Sequence, residues 1–236
     1  MSKEGGSRVI RDYFKFNRIG GKDDAQGDSK MISPQKFWDK AAPRYARTPV
    51  RDEESYQKKL AITQEYFRPD WSVFEFGCGT GSTAIVHAPY VKEILATDIS
   101  GEMLSIAQGK ARNAGVENIR FQQGTLDSLE LPPESFNAVL GLNILHLLED
   151  AQAAIARVSE LLKPGGIFVS STVLADEMKL HWRLLIPVMQ RLGLAPHLQH
   201  FDKQGLLSML TSAGFSVDYE WQPGKFSVFI VARKGA

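Results

Sequence analysis

Hydrophobic positions in this chain alternate between helical stripes and short continuous runs, and glycine, proline or a capping residue marks most of the switches. Behind Ser33, Pro34 suits the opening position of a helix, Phe37-Trp38 and Ala41-Ala42 form one apolar stripe, and Pro43 and Pro49 punctuate the segment. Residues 54–67 space Tyr56, Leu60, Ile62-Thr63 and Tyr66-Phe67 so as to bury one face, and Pro69-Asp70 stops them. Val73, Phe74 and Phe76 then favour a buried strand. A short helix starting at Ser82 ends at Pro89, and residues 91–97 predict a second strand finishing at Asp98. Ser100 caps the next helix, with Leu104, Ala107 and Ala111 on one face and Gly115 after its end. Residues 119–123 predict a third strand, and residues 131–141 a turn running into a fourth. Asp150 caps a helix reaching Leu162, whose stripe is Ala151, Ala154, Ile155, Val158 and Leu161-Leu162. Lys163-Pro164-Gly165-Gly166 stops it before a fifth strand at 167–169. Residues 177–192 are helical by pattern, with Pro187 forcing a kink or break. Asp202 caps a helix through Ala213 that ends at Gly214, and residues 215–221 and 225–233 form a hairpin across Pro223-Gly224.

The chemistry concentrates where the first strand ends. Glu75 is followed by Gly77, Gly79 and Gly81 at alternate positions. Glycines let the backbone turn sharply and approach a ligand with no Cβ in the way, and the N–H groups of the helix behind them point back at the loop. A dinucleotide fingerprint places its third glycine at the sixth position; here that position is Ser82, and the third glycine arrives one place early. Asp98 stands about 20 positions after the first glycine, where a carboxylate can accept both hydroxyls of a ribose.

The pattern Glu75-Phe76-Gly77-Cys78-Gly79-Thr80-Gly81 resembles motif I of the class I S-adenosylmethionine (SAM) methyltransferases. The segment Phe37-Trp38-Asp39-Lys40-Ala41-Ala42-Pro43-Arg44-Tyr45-Ala46 resembles the opening of the ubiquinone and menaquinone biosynthesis type of methyltransferase within that family, and Leu142-Asn143-Ile144-Leu145-His146-Leu147 resembles its L-H-H-L stretch. The resemblance implies an α/β fold, a Rossmann-like three-layer sandwich. Its seven-stranded, mostly parallel sheet runs in the order 3-2-1-4-5-7-6, with the last strand antiparallel, under a helical cap. It implies SAM as cofactor and S-adenosylhomocysteine as product.

It also implies residue roles. Glu75, Gly77, Cys78, Gly79 and Gly81 form the cradle, and Tyr45 lies near the methionine carboxylate. Asp98 takes the ribose, with Ile99 and Met103 beside the adenine. Thr125 and Leu126 stand where the family usually carries Asp-Ala at the adenine amino group, a departure in this chain. The backbone of Gly141 and Leu142 contacts the methionine amine. Ile99, Met103, Trp38 and Tyr45 have a competing reading as packing residues. If the acceptor must lose a proton, His146, His181, His197 and His200 are the candidate bases, and none has an identifying spacing. His146 reads at least as well as a hydrogen-bonding residue at a strand-to-helix corner.

Composition narrows the partners. Lys plus Arg total 28 against 27 Asp plus Glu, a net charge of +1, so no nucleic-acid footprint is expected. A single cysteine, Cys78, excludes an internal disulfide and a cysteine-rich metal site, and no metal ligand set is expected. Arsenite-type methylation is disfavoured for want of thiols. No apolar run reaches the ~20 residues of a membrane span, so the expected protein is soluble, cytoplasmic, and monomeric or homodimeric. Met31 is a plausible native start, and residues 1–30 read as a tag or disordered leader ahead of a single methyltransferase domain at 31–236. Within that domain 33–68 is a helical cap arm and 174–201 a cap insertion where specificity should lie.

These observations predict methyl transfer to a small-molecule acceptor, with an O- or C-methylated aromatic or quinone-like compound favoured. Two alternatives stand beside it: a SAM-binding protein without catalysis, and a nicotinamide-dependent oxidoreductase on a Rossmann fold.

Overall fold

The computed structural model describes residues 33–50, 52–177 and 198–235. The leader at 1–30, His181, His197 and the kinked helix expected at 177–192, apart from residue 177 itself, fall outside them.

Two helices open the described chain, α1 (Pro34–Arg47) and α2 (Glu53–Tyr66). Ser33 and Asp52 cap them, accepting the N–H groups of Lys36 and Ser55. Pro43 does not break α1. Its missing N–H removes one backbone bond, but Phe37, Ala41 and Ala42 are buried on one side, and the Arg47 Nε–H and Thr48 hydroxyl bond back to the carbonyls of Pro43 and Arg44.

The strands are β1 (Ser72–Phe76), β2 (Glu93–Asp98), β3 (Ile119–Gln123), β4 (Phe136–Leu142), β5 (Leu162–Val173), β6 (Phe215–Gly224) and β7 (Ser227–Lys234). They form one sheet in the order β3-β2-β1-β4-β5-β7-β6, parallel from β3 to β5, with β7 antiparallel to both its neighbours. Both strand order and strand sense are those expected. Between the strands lie α3 (Ser82–His87), α4 (Gly101–Asn113) and α5 (Ala151–Leu161), and α6 (Lys203–Ser212) precedes the final hairpin. The expected caps form: Ser100 accepts from Met103 N–H, Asp150 from Ala153 N–H and Asp202 from Gly205 N–H.

Period-two alternation sends the strands' side chains into two cores. Phe74, Phe76, Val139, Phe168 and Ile230 pack with α5 and α6, whereas Val73, Ile94, Leu140, Val169 and Phe229 pack with α2, α3 and α4. Phe74 stacks on Phe136 and Phe76 on Phe168, with centroids 5.3 and 6.4 Å apart.

Two boundaries differ from the sequence expectation. Lys163-Pro164-Gly165-Gly166 does not end before β5. It is an irregularity inside it, because Phe136 pairs with Leu162 and Ala138 with Ile167, and Gly165 takes up the slack at φ 73°. The hairpin turns at Lys225 and Phe226, since Gly224 pairs with Ser227, and a register shift between Trp221 and Gly224 accommodates Pro223, which has no N–H to give the ladder.

Candidate functional site

The carboxyl ends of β1, β2 and β4 meet around the glycine loop, the crevice in which open α/β sheets hold ligands. Backbone bonds fix the loop: Cys78 N–H donates to the Thr97 carbonyl at 2.9 Å and Gly81 N–H to the Cys78 carbonyl at 3.0 Å. Lys110 of α4 reaches back to the hydroxyls of Thr80 and Ser82 at 2.9 and 3.0 Å. All three glycines are left-handed, with φ 66°, 54° and 70° at Gly77, Gly79 and Gly81. Their surroundings differ. A Cβ at Gly77 would lie 2.7 Å from Ile144 Cγ1, and one at Gly81 2.7 Å from Ala107 Cβ. A Cβ at Gly79 would meet only the Tyr45 ring, 3.8 Å away. Two glycines are therefore closed by packing, while the third borders open space under Tyr45. Gly141 belongs with the first kind, because a Cβ there would lie 2.6 Å from Phe76 Cζ.

Two carboxyl groups lie close enough to this space for their charges to act on the Tyr45 phenol. Asp98, buried at the end of β2, accepts Gly79 N–H on Oδ2 at 2.8 Å and Ser100 N–H on Oδ1 at 2.9 Å. Desolvation raises its pKa, and those two backbone bonds oppose the rise. An ionised carboxylate offers about four lone-pair directions, so both oxygens retain acceptor capacity. Glu75 is 3% exposed, and its Oε2 has no hydrogen-bond partner. Burial first, then the charge of Asp98, push its pKa up to about 8. Burial also raises the Cys78 thiol, whose Sγ lies 3.7 Å from the Gly79 carbonyl.

Tyr45 arrives from α1. One side of its ring is open, the residue being 41% exposed, yet desolvation of the phenol and the charge of Asp98 raise its pKa. A link that sequence reasoning passed over holds this arm in place. The Ser100 hydroxyl, while capping α4, donates to Asp39 Oδ1 at 2.6 Å, and Glu102 N–H lies 3.4 Å from the same oxygen. Asp39 lies within the Phe37-Trp38-Asp39 signature, but only the fold shows which helix it meets.

The remaining expected residues lie around this crevice with different surroundings. Ile99 and Leu142 are half-buried, and Met103 and Leu126 are buried. Thr125 is turned into a local exchange with Ser128: its Oγ1 accepts Ser128 N–H at 3.2 Å, and the Ser128 hydroxyl accepts Thr125 N–H at 2.8 Å. His146 is 1% exposed, and its Nδ1 accepts from Val173 N–H and lies 3.1 Å from the Thr172 hydroxyl. Desolvation holds its pKa down at about 3. These contacts match the corner reading of His146. His200 lies at the surface, with Nδ1 3.2 Å from Asp176. Among the described residues no three His, Cys, Asp or Glu gather as a metal site, and no helix is long and apolar enough to cross a membrane.

SAM fits these residues on two observations: the open cradle at Gly79, which a Cβ would fill, and the orphaned acidic oxygen of Glu75. Residues 73–166 match the family described as Methyltransferase domain. Over 110 residues the chain is 37% identical to the uncharacterized methyltransferase YcgJ of Bacillus subtilis, covering 47% of this chain and 44% of that protein. The crystal structure of YcgJ superposes with a TM-score of 0.64 at 22% identity, over 76% of this chain and 99% of that chain. A ubiquinone/menaquinone biosynthesis C-methyltransferase of Coxiella burnetii is 28% identical over 222 residues, 85% of this chain and 81% of that protein. A Haloferax volcanii methyltransferase, solved in complex with the Trm112 methyltransferase activator, superposes with a TM-score of 0.71 at 16% identity, over 86% of this chain and 98% of that chain. The chain spans about half or less of the first curated relatives it matches, at 44%, 24% and 53% of their lengths. These matches agree with the methyltransferase reading of the glycine loop.

Proposed function

We propose that the protein, whose residues 73–166 match the family described as Methyltransferase domain, transfers a methyl group from SAM to a small molecule, an aromatic or quinone-like compound methylated on oxygen or carbon. The observation that carries the proposal is the pairing of an unpartnered, buried Glu75 oxygen with the open space at Gly79. A buried acidic group without a partner is costly, and the cationic amino group of an amino-acid tail answers it.

SAM supplies the methyl group as a strong electrophile, so the protein's work is chiefly positioning. Asp98 would hold the ribose hydroxyls, Gly79 N–H and Ser100 N–H fixing both of its oxygens in advance. Glu75 and the backbone of Gly77, Gly141 and Leu142 would hold the methionine tail, with Cys78 and Gly81 completing the loop. Tyr45 would close over it from the Asp39-anchored arm. Ile99 and Met103 would bound the adenine, beside Thr125 and Leu126. Held this way, acceptor and methyl carbon gain the proximity advantage, ~7–11 kcal/mol in favourable cases, and exclusion of water protects the reaction. The acceptor gains the methyl and loses a proton. His146, its pKa held down at about 3 by burial, is poorly suited to take that proton, which leaves His181, His197 and His200 as the bases to test.

The identity of 28% to the Coxiella C-methyltransferase over most of both chains supports the quinone-like acceptor class. A cytoplasmic location, a monomeric or homodimeric state and a single domain spanning 31–236, with its cap at 33–68 and 174–201, go with this reading. The test is incubation with methyl-labelled SAM and a panel of phenols and hydroxyquinones. Label transferred to one of them supports the proposal. Binding of SAM with no transfer across the panel favours the non-catalytic alternative, and preferential binding of a nicotinamide cofactor favours the oxidoreductase.

A further inference from the structure

One polar cluster beside the crevice lies outside the residues assigned above to the cofactor. Lys59, in the middle of α2, donates from Nζ to the Ser171 hydroxyl at 2.8 Å, and the Ser171 hydroxyl lies 3.4 Å from Asn143 Oδ1. Asn143 follows β4 directly, is exposed, and is held at φ 58° by its N–H bond to the Ser171 carbonyl at 2.6 Å. Left-handed backbone at a non-glycine residue tends to mark functional sites.

The neighbours place this cluster against the glycine loop. Ile144, next after Asn143, is the side chain that a Cβ on Gly77 would strike. Tyr56, one turn before Lys59 on α2, brings its hydroxyl to 3.4 Å from Thr83 Oγ1, just behind the loop. Lys59 therefore stands near the Gly77 side of the glycine loop, at the carboxyl ends of β4 and β5.

Among the described residues its charge is only weakly answered. Ser171 is the one hydrogen-bond acceptor of Lys59 there, and the Asp52 carboxylate at the start of α2 acts on it from beyond salt-bridge distance. Lys58 shows the ordinary alternative, its Nζ lying over the Trp221 ring at 4.1 Å. Lys59 turns inward, is half-buried, and desolvation lowers its pKa. A sequestered ammonium held by one neutral hydroxyl needs an anion, or forgoes the pairing that buried charges usually have.

Resting on the methyltransferase reading above, we propose that Lys59, with Ser171 and Asn143, is an anion subsite that holds an ionised oxygen of the methyl acceptor. The acceptor is then a phenolate, enolate or carboxylate rather than an amine or a neutral hydrocarbon. Lys59 is a binding and specificity residue in this scheme. Its ammonium binds the acceptor's oxygen already ionised, the proton having been released to solvent on binding, so that the methyl passes from the sulfonium to an anion and the histidines named above are not needed as bases at the moment of transfer.

The experiment titrates the S-adenosylhomocysteine-loaded protein with two probes of matched shape, 4-nitrophenolate and nitrobenzene, above the pKa of the phenol. A charge-assisted hydrogen bond is expected to favour the phenolate by roughly 10-fold or more. Lys59→Met abolishes that preference while leaving S-adenosylhomocysteine affinity within about twofold, and Lys59→Arg retains a preference. Equal binding of the two probes by the parent, or an undiminished preference in a Lys59→Met protein that still binds S-adenosylhomocysteine, overturns the subsite. A parent protein that binds no S-adenosylhomocysteine overturns the cofactor reading beneath it, and the two failures are told apart by the first titration.

Discussion

Asp98 Oδ2 accepts the N–H of Gly79 at 2.8 Å, joining the end of β2 to the middle of the glycine loop. The acidic residue is thus part of the loop's own architecture before any ligand arrives. Its second oxygen takes Ser100 N–H, so one carboxylate sets both the loop and the start of α4.

The three loop glycines should fail in different ways. Gly77→Ala and Gly81→Ala each drive a Cβ into a neighbour at 2.7 Å and should destabilise the fold by about 1–3 kcal/mol. Gly79→Ala meets only the Tyr45 ring at 3.8 Å, so left-handed strain of about 1–2 kcal/mol remains, while S-adenosylhomocysteine binding falls more steeply than stability. Urea denaturation alongside ligand titration separates the two effects. Equal stability losses with unchanged binding at Gly79 would contradict the assignment of its open side to the cofactor.

Glu75 gives the free protein a pH dependence of defined sign. Its folded pKa, about 8, stands above the ordinary carboxylate value of 4.5. Between those values the folded state holds a proton that the unfolded chain has lost, so this group's contribution to stability is full below about 4.5 and declines as pH rises through about 8. The decline should amount to a few kcal/mol, should be absent in Glu75→Gln, and should shrink when SAM supplies a cation. Chemical denaturation at a series of pH values measures it, and a free protein whose stability is flat or rising through this window as a result of Glu75 would refute the buried, unpaired state.

His87 works in the opposite direction. Its Nδ1 lies 3.5 Å from Gln64 Nε2, which can only donate, so the proton sits on the orphaned Nε2. Desolvation lowers the pKa to about 4, so stability from neutral His87 is present above the ordinary value of 6.5 and lost as pH falls through about 4. His87→Leu should be neutral or stabilising by about 1 kcal/mol near neutral pH, since it removes an unmet N–H while keeping contact with Phe67, and should flatten this part of the acid limb. A loss of several kcal/mol in His87→Leu would show a partner that the geometry lacks.

Asp39 tests the arm. Asp39→Ala removes the acceptor of the Ser100 hydroxyl, leaving the Ser100 cap of α4 in place. The expected result is faster amide exchange across α1, with overall stability reduced by about 1 kcal/mol and weakened S-adenosylhomocysteine binding. Unchanged exchange in α1 would mean that other contacts dock the arm.

The strands β1, β2 and β4 were legible in the sequence because strong signals bound them, Glu75 and the glycines, Asp98 with Ser100, and the Ser135-Phe136 turn, whereas their order in the sheet was implied by the resemblance to the methyltransferase family. Most helix starts were equally clear, since, Asp52 and Gly81 apart, each N-cap residue stood out ahead of its stripe. The irregularity at 163–166 was not, because Pro-Gly-Gly ends helices and kinks strands with equal ease, and only the pairing of Phe136 and Ala138 decides between them. Within the site, Glu75 and Asp98 could be read from spacing. The Asp39–Ser100 bond and the Lys59–Ser171 bond could not, because they join residues 61 and 112 positions apart. Such contacts carry no local pattern and emerge only once the sheet has set the helices against one another.

The most direct measurement is calorimetric titration of S-adenosylhomocysteine into the parent protein, Asp98→Ala and Gly79→Val. The account predicts saturable one-site binding to the parent, with a loss of at least roughly 10-fold in each variant, the scale of a charge-assisted hydrogen bond to Asp98 and of a filled cradle at Gly79. Affinity equal to the parent's in both folded variants would contradict it.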